Sequence, residues 1–159
     1  MKTILIIGPV TRRAGYGEQA RFALRSLRAH PERFNILIQD IPWGQSGQVS
    51  EDSEEQNFIT ETIAKTQQHI KQQLPVDITL QVTIPNEFKK LAPVNIGYTA
   101  GIETTRVSPQ WIEQSALMDK IILVSNHSKD VYEKTSYEGT NNETGEKVII
   151  KTQVPMEVV

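Results

Sequence analysis

Cysteine is absent from all 159 residues. That excludes disulfides, thiolate metal sites and a cysteine nucleophile together. Long apolar runs are missing too. The longest, Ile4 to Ile7 and Ile121 to Val124, hold four residues each, far short of the roughly 20 needed for a membrane-spanning helix. Neither sign of charge prevails: 17 basic residues face 19 acidic ones, for a net charge of -2. Such a balance gives no global electrostatic reason to bind nucleic acid, and nothing in the pattern supports contact with a membrane surface. His30, His69 and His127 are scattered without metal-ligand spacing, so no metal site is expected. Neither a Walker A sequence nor a G-x-S-x-G elbow occurs. The start faintly imitates a signal peptide, but Gly8-Pro9 breaks the apolar run and Arg12-Arg13 follow it. The chain reads as a soluble cytoplasmic protein.

The length suits one domain with its own core. The run Ile4–Ile7, ended by Gly8-Pro9, predicts a buried strand. A helix follows from Gly17 to Ala29, with Ala20, Ala23, Leu24 and Leu27 facing inward and Arg21, Arg25 and Arg28 as the opposite stripe. Phe34–Ile38 gives the second strand. Gly44 to Glu55 is a polar loop, and Gln56 to Leu74 is a helix with Ile59, Ile63, Ile70 and Leu74 on one face. Val76 to Ile84 alternates strictly between apolar and polar residues, which predicts a half-exposed strand at a sheet edge. Val94–Tyr98 and Ile121–Val124 are further strands. Between them Ser108 caps a helix that has Pro109 at its first position. A short helix around Ser128 to Lys134, a polar turn over Gly139 to Lys147 and a sixth strand at Val148–Ile150 complete the series. Strands alternate with helices, so the fold class is α/β: a Rossmann-like, doubly wound, mostly parallel sheet in 3-2-1-4-5 order.

Ligands of such sheets bind at the carboxyl ends of the strands. Gly15-Tyr16-Gly17, opening the first helix, allows close backbone approach and presents amides to an anion, with Arg12 and Arg13 adding charge. The alternative is a loop whose glycines serve only the turn. Gly15-Tyr-Gly17-Glu-Gln-Ala20 also matches the dinucleotide pattern G-x-G-x-x-A, with Asp40 at the end of the next strand. The glycines lie too far past the strand for that fingerprint. The second segment ends the fourth strand and carries Glu103, Thr104 and Arg106. Glu103 suits proton transfer or a sugar hydroxyl; equally, it suits an ion pair with Arg106 or a capping role for the helix at Ser108. The third segment, Ser125-Asn126, offers ligand contacts or the cap of the next helix.

The stretch Asn95-Ile-Gly-Tyr-Thr-Ala-Gly-Ile-Glu-Thr-Thr-Arg106, then Trp111, Leu117 to Ser125 and His127-Ser-Lys129, resembles the N-terminal half of GT-B glycosyltransferases of the group 1, or family 4, type. The resemblance implies that residues 1–159 are the acceptor-side domain, facing a separate donor-binding domain not contained in this stretch. It implies a nucleotide-sugar donor and a sugar acceptor as substrates, and no tightly bound cofactor. Arg12, Arg13, Gly15, Tyr16 and Gly17 would then lie on the donor diphosphate side. Glu103 would be the catalytic candidate, with Thr104, Arg106, Ser125 and Asn126 lining the cleft. Two other readings stay open: an NAD(P)-binding Rossmann domain, and a non-catalytic half that binds a glycan or a partner subunit.

Overall fold

The computed structural model describes residues 1–50 and 52–159; Glu51, one of the acids of the polar loop, lies outside them. Six parallel strands form one sheet: β1 (Lys2–Gly8), β2 (Phe34–Asp40), β3 (Ile78–Val82), β4 (Val94–Tyr98), β5 (Lys120–Leu123) and the last strand, Met156–Val158, which is β8 in chain order. Four helices flank the sheet: α1 (Gly15–Arg28), α2 (Glu54–Lys71), α3 (Pro109–Ser115) and α4 (Asn126–Lys134). The fold is therefore α/β with a Rossmann-like, doubly wound parallel sheet.

The strand order is β2-β1-β3-β4-β5-β8, not 3-2-1-4-5. The alternating strand is interior, between β1 and β4, and the edge belongs to β2. The reason is that its polar residues are buried rather than wet. Thr79, Gln81 and Thr83 are all 3% exposed or less. Thr79 Oγ1 donates to Asn95 Oδ1 at 2.8 Å, and Gln81 Nε2 donates to Thr79 Oγ1 at 3.0 Å. Gln81 also closes a two-way bond with the Lys89 backbone, at 2.6 and 2.9 Å. A polar seam satisfied this way reproduces the alternation of an exposed face while sitting inside.

Side chains of alternate residues build three apolar clusters, the smallest being Leu5, Ile7 and Leu37 with Ile41 and Val76 beside them. Ile4, Ile6, Ile36, Ile38, Leu80, Val82 and Tyr98 meet Ala20, Ala23 and Leu24 of α1 on one face. Ile121 and Leu123 meet Phe88, α3 and α4 on the other. Gly97 belongs to that second face, and a Cβ there would run into the Phe88 ring. The glycine thus lets an aromatic lie flat on the strand.

The second helix lies along the outer border of β2. Thr66 Oγ1 accepts from Ile38 N at 2.8 Å, and Lys65 Nζ donates to Ile36 O at 3.2 Å. Its inward face is Ile59, Thr62 and Thr66. Ile70 and Leu74 are 57% and 47% exposed, and the helix ends three residues before Leu74, so the expected apolar stripe stops halfway. The helix does two things: its Thr66 hydroxyl and Lys65 cap the border of β2, while Ile59, with Phe58 and Ile63 beside it, packs into the same core as α1.

Val148–Ile150 is a strand, but not of the main sheet. It lies in β7 (Lys147–Lys151), paired antiparallel with β6 (Ser136–Thr140), so Gly139 and Thr140 are strand rather than turn. No helix of the described residues is long and apolar enough to cross a membrane.

Candidate functional site

The loop after β1 and the start of α1 are held by their own backbone. Gly17 is buried, and a Cβ on it would collide with Arg12 O and come within 2.9 Å of Pro9 O. The close approach that this glycine permits is to the loop itself. Arg21, expected on the exposed stripe, is 7% exposed. Its Nη1 donates to Val10 O and Arg12 O at 2.8 and 2.9 Å, and Nη2 donates to Glu18 at 2.8 Å. It is a cationic staple across the loop. The spacing Gly17, Arg21, Leu24 repeats at i, i+4, i+7, which is the signal that places it inward.

Gly15 differs from Gly17, since nothing lies within 4 Å of where its Cβ would be. The residue before it, Ala14, has no side chain able to cap α1, and no side-chain cap bond forms. The first-turn amides of a 14-residue helix therefore open at the carboxyl end of β1, a setting that favours an anion. Arg13 is exposed beside them. It lines a cavity of about 260 Å³ with Glu18, Arg25, Ser53 and Glu55. Arg12 is half-buried; its Nη1 donates to Ser46 O at 3.3 Å, while its Nε is buried without a partner among the described residues.

Tyr16 joins this loop to the end of β4. Its hydroxyl shares a 2.9 Å hydrogen bond with Thr99 Oγ1 and accepts from Ala100 N at 3.1 Å. Its ring lies against Trp43, centroids 4.6 Å apart and tilted by 41°. Thr99 is fully buried; the sequence reading did not single it out, because nothing local marks a threonine whose partner is on another element.

Beyond Thr99 the chain runs along a cavity of about 310 Å³ lined by Glu103, Thr104, Arg106, Ser108 and Trp111. Glu103 is exposed, and no ion pair to it forms among the described residues. Arg106 turns to β6 instead. Its Nη2 donates to Ser136 O at 2.7 Å and its guanidinium sits 4.0 Å over the Tyr137 ring. Thr104 Oγ1 donates to Arg106 O at 2.9 Å. The carboxylate in this segment has no ion-pair partner among the described residues, whereas the cation is held by Ser136 and Tyr137.

The segment after β5 is used for folding. Ser125 caps α4 by accepting from Ser128 N at 3.1 Å, and the two hydroxyls are 2.9 Å apart. Ser128 in turn accepts from Ile102 N at 3.0 Å, which ties the β4 loop to α4. Asn126, the first residue of α4, is exposed. Asp40, the acid that a dinucleotide site would use, is occupied as well. Both its oxygens accept from Thr11, one from the backbone N at 3.0 Å and one from Oγ1 at 2.7 Å.

The elements thus bring together the uncapped start of α1, Tyr16, Thr99 and the Glu103 cavity at one end of the sheet. Comparison with models of known families finds none that matches this chain, and no curated protein matches it.

Proposed function

We propose that this chain is the acceptor-side half of a GT-B-type glycosyltransferase, working with a donor-binding half on a nucleotide-sugar donor and a sugar acceptor. The observation that carries the reading is the Tyr16–Thr99 bond, which couples an anion-ready helix start to a carboxylate-lined cavity. In this reading the α1 amides and Arg13 form one wall around the donor diphosphate. The acceptor sugar sits in the Glu103 cavity against Trp111. There the Glu103 carboxylate accepts the proton of the acceptor hydroxyl as its oxygen bonds the anomeric carbon and the bond to the diphosphate breaks. Proton transfer of this kind is worth about 10²–10⁴-fold in rate. Positioning against a second half supplies much of the remainder, so the 159 residues alone are expected to bind weakly and not to turn over.

The dinucleotide reading is less well supported, because Asp40 already spends both oxygens on Thr11. Backbone NMR titration of the chain separates the readings. UDP or GDP should move the Gly15–Gly17 amides at millimolar concentration, and oligosaccharides should move the Gly101–Trp111 amides. Tight binding of NAD at Gly15–Gly17, or silence of both segments toward every nucleotide and saccharide, overturns the proposal.

A further inference from the structure

The hairpin of β6 and β7 carries a second surface, remote in kind from the cavity chemistry. All five residues of β7 are exposed. Val148, Ile149 and Ile150 are 39%, 73% and 38% exposed, in consecutive positions. Few soluble surfaces leave three β-branched residues in a row uncovered on a strand.

Pairing alternation shows which backbone groups are open. Asn141 N donates to Glu146 O at 2.8 Å, so in this register Gly139–Val148 and Tyr137–Ile150 are the bonded pairs. The N–H and C=O of Lys147, Ile149 and Lys151 then point away from β6. None of them has a hydrogen-bond partner among the described residues. The other border of the hairpin is partly taken, since Ser136 O accepts from Arg106. The cation thus occupies the β6 border at its Ser136 end, while no such side chain is bonded to the border of β7.

Charge decides what fits the open border. A second copy paired antiparallel about Ile149 would set Lys147 opposite Lys151 at both ends, and like charges directly opposite are destabilising. Glu138, across from Ile149 on β6, lies one strand further in. A partner strand whose acids fall opposite both lysines, with three apolar residues between, meets every position. We propose that the free edge of β7 is a docking strand for an extended segment of a partner protein with the pattern acid–apolar–apolar–apolar–acid, added as a third antiparallel strand.

The test uses two peptides, glutamate–valine–isoleucine–valine–glutamate and its lysine-flanked counterpart, each extended by two glycines at both ends and acetylated. Titrated into the 159-residue chain, the acidic peptide should bind roughly tenfold more tightly at low salt, from two attractive cross-strand pairs replacing two repulsive ones. It should also slow hydrogen exchange at the Lys147, Ile149 and Lys151 amides. The double variant Lys147→Glu with Lys151→Glu should invert the preference. Ile149→Pro removes an outward donor without touching the β6 ladder and should abolish binding of either peptide. Equal affinity for both peptides, no binding of either, or a concentration-dependent dimer abolished by Ile149→Pro each overturns the proposal.

Discussion

The Tyr16 hydroxyl and the Thr99 side chain share a 2.9 Å hydrogen bond across 83 positions of sequence. With the Ala100 N–H that donates to the same hydroxyl, it links the start of α1 to the loop after β4. Tyr16→Phe removes it, leaves the fully buried Thr99 hydroxyl without that partner and frees Ala100 N. A cost of about 1–3 kcal/mol is expected. Urea denaturation with Trp43 fluorescence reads both the stability and the loosening around the tyrosine. An unchanged midpoint would mean that water replaces the hydroxyl freely.

Gly15 and Gly17 should separate cleanly. Gly17→Ala drives a methyl into the Arg12 and Pro9 carbonyls and should cost about 1–3 kcal/mol through backbone displacement. Gly15→Ala meets open space and should be neutral or stabilising by about 0.4–1 kcal/mol. Equal effects of the two substitutions in thermal melts would contradict this assignment.

Asn95 is fully buried and holds four bonds that start from or end on its side chain. Asn95→Leu keeps the volume but strips the acceptor from Thr79 Oγ1 and from the Leu91 and Ala92 amides. At about 1–3 kcal/mol per orphaned group, a loss of about 3 kcal/mol or more is expected. A loss under about 1 kcal/mol would show that the polar seam is not a structural necessity.

Glu103 and Arg106 should behave as strangers. Glu103→Gln removes no ion pair, so stability should stay within about 0.5 kcal/mol of the parent. Arg106→Met loses a bond to Ser136 O and the stack on Tyr137, and should cost about 1 kcal/mol. A double-mutant cycle with a coupling above about 0.5 kcal/mol would restore the ion pair that the sequence also allowed.

Acid should weaken the ion pairs within α1 and the one that joins α1 to α2. Hydrogen bonds from Arg21 and then Arg25 hold Glu18 below the usual carboxylate range, and Arg25 does the same for Glu55. Groups lowered in the folded state stabilise it fully above their unfolded value near about 4.3. That contribution fades as pH falls through the lowered values. All three pairs have at least one partner reached by solvent, so each is worth about 0–1 kcal/mol. Melts from pH 6 to pH 3 should show a shallower acid decline for Glu55→Gln, and the gap from the parent should close at pH 3. A gap that widens with acid would reverse the sign.

Runs of apolar residues were enough to place β1, β2 and β5, because a buried parallel strand is a nearly continuous apolar stretch, while β4 was legible from Val94, Ile96 and Tyr98 despite the buried Asn95 between them. The position of β3 was not legible. Thr79 and Gln81 look like solvent-facing residues until Asn95 and Lys89 are seen to meet them. The same blindness hid Arg21, whose partners are backbone carbonyls with no residue signature, and β8, whose three residues are too few to show a period. The glycines of the first loop do not disclose that at Gly17 the close approach is to the backbone of the loop itself. Ser125 was legible as a cap because its partner is three residues away.

With Thr66 and Lys65 bound to the outer backbone of β2, the sheet has direction in a sense that its topology does not convey. One margin is sealed by a helix and can be reached only by peeling off eighteen residues of α2. Growth by a further strand, whether in assembly, in domain exchange or in misfolding, is left to the margin of β8. Stress that frays the molecule from the α2 side should therefore expose a sticky border together with the core around Ile59.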